Sequence, residues 1–260
     1  MLGLFLPRRL AASAALCCLL HGIRLDGQSS PARQPPPAAE TLSYTVEWRL
    51  ITAGTAKLTV QHVGTDGGRH ASLLLQSTGL VSKLFRVNDV YDVDYHGAFC
   101  AGASHMLAQE GRRRRETTVT YDALRKKADY LERDLLKNTV VKMAQVDIPA
   151  CVHDVVGALL QLRTMNVDVG HSVELPVSDG KKSAMVRVEA QEREDLKIKN
   201  VAHKTVRYEA FLFNNVIYSR KGSVQLWLTD DSDRIPVQIK LRMQFPIGNI
   251  TLTLDKQELS

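Results

Sequence analysis

Tyr44-Thr45-Val46-Glu47-Trp48-Arg49-Leu50-Ile51-Thr52-Ala53-Gly54-Thr55-Ala56-Lys57-Leu58-Thr59-Val60 is the stretch whose pattern decides the fold. Val46, Trp48 and Leu50 alternate with Thr45, Glu47 and Arg49, so one set of side chains faces a single side of an extended backbone. After Thr52-Ala53-Gly54 the alternation resumes at Ala56, Leu58 and Val60, with Gly54 supplying the freedom a turn needs. The segment therefore reads as a hairpin with one face turned to a core.

The same period continues outward from it. Strand-like runs fall at 71–77, 86–95, 105–110, 115–121, 127–131, 140–146, 172–177, 184–191, 201–213, 223–228, 237–245 and 247–254. Between them stand Gly64-Thr65-Asp66-Gly67-Gly68, Val177-Ser178-Asp179-Gly180, Arg220-Lys221-Gly222 and Asp230-Asp231-Ser232-Asp233, all rich in turn formers. Many short strands without alternating helices make the chain mainly β, a strongly curved antiparallel sheet in the form of a half-barrel or sandwich. One segment departs from the pattern. Val152, Val155, Val156, Leu159 and Leu160 fall at helical spacing over 152–165, with Pro149 before them, Asp154 in the first turn and Arg163 near the end. A lone amphipathic helix must lay its apolar face on the sheet, where it plugs the concave side.

The 260 residues are 44% apolar and 24% charged, with a mean hydropathy of −0.15, which suits a globular chain and excludes a polytopic membrane protein. Arg8 and Arg9 precede an uncharged run at 10–20, shorter than the roughly 20 apolar residues of a membrane-spanning helix. Residues 1–28 read as a signal peptide, 29–41 as a Pro-rich disordered spacer, and 42–258 as one β-rich domain. Cys17 and Cys18 follow no small residue, which argues against lipidation, and the N-terminus is expected either to be cleaved or to stay as a tether. Without residues 1–28 the net charge falls from +6 to about +4, mild enough for a soluble protein or for peripheral association with an anionic membrane. Export places the two remaining cysteines, Cys100 and Cys151, in an oxidising compartment, and a disulfide between them is expected.

Chemistry is scarce. No G-x-S-x-G elbow, H-E-x-x-H, phosphate loop or C-x-x-C occurs beyond residue 28, and His62, His70, His96, His105, His153, His171 and His203 have no ligand spacing. No catalytic residue, cofactor or metal is assigned. Asp230, Asp231 and Asp233 lack the Gly and distant Glu of a calcium loop and read as a polar turn. Arg112, Arg113, Arg114 and Arg115 read as a solvated hairpin tip. Without interleaved aromatics and in an exported protein they do not suggest nucleic acid.

Three blocks carry a family resemblance: Tyr44-x-Val46-x-Trp48 with Ala53-Gly54-x-Ala56; the helix Val152-His153-Asp154-Val155-Val156-Gly157-Ala158-Leu159 ending in Leu162-Arg163; and Leu226-Trp227-Leu228-Thr229-Asp230-Asp231 followed by Arg234-Ile235-Pro236-Val237. In order and spacing they resemble DUF3108, a family of exported bacterial proteins without an established activity. The resemblance implies a periplasmic, cell-envelope location and an all-β fold holding one helix, a layout similar to the half-barrels of lipoprotein carriers. Two functions follow as expectations. One is a non-catalytic binder of an envelope lipid or other hydrophobic ligand, with Trp48, Val155, Leu159 and Leu160 as candidate lining residues, which requires a cavity above roughly 300 Å³. The other is an assembly factor that recruits envelope proteins along an exposed strand edge.

Overall fold

The computed structural model describes residues 39–64, 67–244 and 248–260. The expected signal peptide, and the spacer up to residue 38, lie outside the described residues. Within them the chain forms β1 (Ala39–Trp48), β2 (Ile51–Val63), β3 (Gly68–Ser77), α1 (Gly79–Leu84), β4 (Asn88–His96), β5 (Cys100–Glu110), β6 (Arg113–Asp122), β7 (Lys127–Asp134) and β8 (Thr139–Asp147). Then follow α2 (Val155–Thr164), β9 (Ser172–Ser178), β10 (Ser183–Ile198), β11 (Val201–Ala210), β12 (Gly222–Thr229), β13 (Pro236–Met243) and β14 (Asn249–Leu259).

All fourteen strands belong to one antiparallel sheet in the order β8-β7-β6-β5-β4-β3-β2-β1-β14-β13-β12-β11-β10-β9. Short turns force each strand beside its predecessor. The exception is β9, which follows α2 and stands at the opposite end of the sheet from β8, and the two halves join where β1 pairs with β14. A single continuous sheet leaves no second layer, so the half-barrel form applies and the sandwich does not.

The sheet rolls until its two ends meet without pairing into a closed barrel. The turn after β9 packs on β6 and β7, where a Cβ added at Gly180 would lie 2.7 Å from Val119 Cγ1 and 3.1 Å from Tyr130 Cδ2. The Tyr121 hydroxyl donates to the Ser178 carbonyl at 3.4 Å. Two extended residues before α2 fill the remaining seam. Ala101 N donates to Val152 O at 2.8 Å, while His153 forms a bridge to Val177.

Local details depart from the sequence expectation in four places. The β1–β2 turn lies at Arg49-Leu50, both at positive φ (49° and 71°), the geometry of a two-residue hairpin whose twist matches its strands. Gly54 instead sits inside β2, paired with Val46 and Ser77, where a Cβ would overlap the Gln76 carbonyl. It is a close-approach glycine rather than a turn glycine. β1 begins at Ala39, three residues inside the expected spacer, because Glu40 and Thr41 pair with Leu259 and Glu258 of β14. α2 begins at Val155, since Val152 and His153 are held extended in the seam. The short helix α1 was not foreseen, and none of its residues is buried.

Inward side chains form two cores. Leu42, Tyr44, Ala56, Leu58, Val93, Tyr95, Val119 and Tyr121 gather in one, and Leu175, Val177, Val186, Val188, Val206, Val224, Leu226 and Leu228 in the other. α2 lies between them, giving Leu160 to the first and Leu162 to the second.

Candidate functional site

α2 is fixed at both ends. Asp154 is its N-cap, accepting from Val156 N at 3.1 Å and Gly157 N at 2.9 Å. Tyr91 and Tyr95, four residues apart on one face of β4, donate their hydroxyls to the same carboxylate, each at 2.8 Å. Burial, and then the charge of Asp154, drives both phenols far above their ordinary range, so they stay protonated and remain donors. Gly157 allows this seat: a Cβ there would come 2.7 Å from Tyr95 Cε1 and 3.1 Å from the Phe99 carbonyl. Beside it the Cys100–Cys151 disulfide, with Cα atoms 4.9 Å apart, ties the start of β5 to the segment entering the helix. His153 Nδ1 makes a 2.8 Å bond to Phe99 O. At the far end Arg163 grips Glu40 with both amines, at 2.7 and 2.9 Å, and its Nε donates to Arg234 O at 3.1 Å. Burial opposes ionisation of Glu40, but Arg163 and the Gln257 amide outweigh it and hold the carboxyl below its usual range.

So anchored, α2 forms one wall of a cavity of about 740 Å³. The other walls are inward side chains of β1–β3 and β9–β14, among them Leu58, Leu73, Leu175, Val188, Leu226 and Ile239. The lining is almost wholly apolar. The Tyr44 hydroxyl is already occupied, donating to Pro236 O at 2.9 Å. The remaining polar lining groups stand together at Tyr218, Ser219 and Arg220, on the β11–β12 connection, all three exposed. That connection is held by its own backbone bonds, from Asn214 N to Arg220 O and from Ile217 N and Tyr218 N to Leu212 O. Leu212, Phe213 and Ile217 anchor it in the core. The Tyr218 ring tilts on Phe213 at 5.5 Å, and partial desolvation of this surface side chain, then the charges of Asp179 and Asp154, pushes its phenol up to about 12. Asp179 is itself paired with Lys181 at 3.6 Å.

Of the candidate lining residues, Val155 and Leu159 border the cavity. Leu160 and Trp48 do not. Leu160 is on the other side of α2, buried in the first core, because the helix is packed on two sides rather than one. Trp48 is at the outer end of β1, opposite Ile51 and Ile250, with the Arg49 guanidinium 5.1 Å from its ring centroid. The mouth residues escaped the sequence reading, since Tyr218-Ser219-Arg220 carries no pattern beyond that of a loop. Asp154 was read as an anion in the first turn and is instead the N-cap, and its tyrosine partners, some sixty residues earlier, carry no sequence signal.

The aspartate turn is structural. Asp231 accepts from Thr229 Oγ1 and from the backbone of Asp233 and Arg234, while Asp230 pairs with Arg193 at 2.9 Å. Arg113 and Arg115 meet Glu110 and Asp134, each at 3.4 Å, and Arg112 is exposed at the turn. Among the described residues no three His, Cys, Asp or Glu side chains converge as metal ligands, and no helix is long and apolar enough to cross a membrane.

Together these features define a class: a rolled, unclosed antiparallel sheet that keeps an apolar cavity beside a single pinned helix. The chain belongs to the DUF3108 family, a protein family of unknown function whose model matches residues 43–255. A β-barrel-like protein of the DUF1849 domain of unknown function from Brucella abortus is similar in fold, with a TM-score of 0.54 at 6% identity. The match covers 86% of this chain and 99% of that one. A DUF1089 family protein from Pseudomonas aeruginosa aligns over 88% of this chain and 95% of its own at 11% identity, but a TM-score of 0.30 carries no structural weight. No curated protein matches the sequence.

Proposed function

We propose that this chain is an exported, non-catalytic binder of a single-chain amphiphile, its tail in the apolar cavity and its anionic head at Tyr218, Ser219 and Arg220. The cavity carries this reading. Its volume of about 740 Å³ falls within the roughly 300–1,000 Å³ of ligand pockets. If a methylene takes about the volume of a liquid water, roughly 30 Å³, the space holds about 25 heavy atoms: one long acyl chain, but not two. Orientation follows from the lining, since apolar walls accept only the tail and the mouth alone offers donors. Arg220 makes no ion pair among the described residues, and a carboxylate or phosphate would supply one. The Cys100–Cys151 disulfide is in keeping with an oxidising compartment such as the periplasm.

The test is a titration of the purified protein with palmitate and with hexadecanol, for wild type, Leu159→Trp and Arg220→Gln. Both ligands should bind wild type, Leu159→Trp should bind neither, and Arg220→Gln should lose affinity for palmitate alone. Failure of wild type to bind either ligand would sink the reading. Mass spectrometry of lipids that co-purify from the native envelope would then name the physiological ligand.

A second reading, assembly through protein contacts, draws on the unpaired edge of β8. That strand ends the sheet and exposes Val140, Val141 and Met143, the last at 73%, as a template for an added strand. A stable protein partner recovered with lipid-free protein would favour it.

A further inference from the structure

In a meander the odd-numbered connections all fall on one edge of the sheet, and α1, on β3–β4, and the β5–β6 turn are two of them. α1 and the β5–β6 turn touch. Gly111 N donates to Arg86 O at 2.7 Å, and a Cβ at Gly111 would lie 3.0 Å from the Phe85 ring. The surface they make has an unusual composition. Leu80, Leu84 and Phe85 are 66%, 78% and 52% exposed. Around them stand Lys83, Arg86, Arg112, Arg113 and Arg114, with Glu110, 3.4 Å from Arg113, as the one acid on these two connections.

We propose that α1 and the arginine turn form a docking patch for an anionic lipid bilayer. Folding gains nothing from three large apolar side chains left in water, and core packing does not explain them. A bilayer interface takes both parts of the patch, apolar side chains beneath the headgroups and Lys or Arg among the phosphates. A protein partner would have to match five cations as well as the apolar centre. The opposite edge lacks this combination: its exposed apolar residues, Val63, Leu124, Val201 and Leu259, are on separate turns and strand ends. The inference stands on the patch alone and holds whichever ligand fills the cavity.

The test is hydrogen exchange on the full chain with vesicles of phosphatidylcholine, alone or mixed with phosphatidylglycerol. A local readout is needed because residues 10–20 carry an apolar run of their own. Anionic vesicles should slow exchange at 79–86 and 111–114, and neutral vesicles should not. Leu84→Ser with Phe85→Ser should abolish the effect. Arg112→Gln with Arg113→Gln should raise the lipid concentration needed by roughly fivefold per cation removed. All four positions are exposed, so unchanged melting would show that the fold persists. Three results would overturn the inference: equal protection by neutral vesicles, protection at 123–126 instead, or protection without lipid that grows with protein concentration, which would signal self-association.

Discussion

Replacing Asp154 by Ala should cost far more than the loss of an ordinary helix cap. An N-cap contributes about 1 kcal/mol, and Asp154 supplies that much through Val156 N and Gly157 N. It also accepts from Tyr91 and Tyr95, and hydrogen bonds to a charged group are worth about 1.5–3 kcal/mol each. The variant would leave two phenols unpaired inside the protein, so a loss of about 4–5 kcal/mol is expected after allowing for coupling within the cluster. That is a large part of the roughly 5–15 kcal/mol that keeps a domain folded. Asp154→Asn keeps one acceptor oxygen and should lose about half as much. Equilibrium urea unfolding followed by circular dichroism measures both variants. A loss under about 1.5 kcal/mol for Asp154→Ala would mean that the tyrosines find other partners, and the account of how α2 is held would be wrong.

Three further outcomes are expected. The Cys100–Cys151 bridge spans 51 residues, so Cys100→Ala with Cys151→Ala should lower stability by about 4 kcal/mol on the chain-entropy estimate; equal melting of oxidised and reduced protein would contradict this. Leu160→Ala, in the packed core, should cost about 2–5 kcal/mol, whereas Leu159→Ala should cost clearly less because it already borders open space; equal losses in thermal melts would place both in one core. Glu40 has a lowered pKa in the fold, so its contribution is complete above the unfolded carboxyl value of about 4.3 and fades as pH falls through the lower folded value. Glu40→Gln should flatten the acid limb of stability against pH, and an unchanged slope would show that the Arg163 pair contributes nothing there.

The strands were legible because most keep a period of two where one face is buried, and each of the fourteen overlaps a run read from the sequence, though the bounds differ. Placement within them depended on contacts that sequence does not display. Gly54 reads as a turn by residue type, but the nearness of the Gln76 carbonyl is what requires glycine there. The real turn uses Arg49 and Leu50 in a conformation that their types do not advertise. On the helix, apolar spacing found Val155, Leu159 and Leu160 without revealing that two cores flank α2 and leave the cavity on one side only. The disulfide was readable by arithmetic once the N-terminal cysteines were set aside. The mouth and the α1 patch were not, because both depend on how the rolled sheet brings distant connections together.

The central pairing of β1 with β14 also governs when the molecule can fold. Glu40 lies opposite Leu259 and Trp48 opposite Ile250, among the most distant partners in the chain. Until the last strand arrives, β1 is an open edge in the middle of the future sheet and no strand pairing links the two halves. Such a topology has high contact order and should assemble slowly. A chain threaded through a membrane from its N-terminus would stay unzipped until its final residues emerged. Assembly on the far side would then be post-translational, with the β1 edge open to any helper that delays premature pairing.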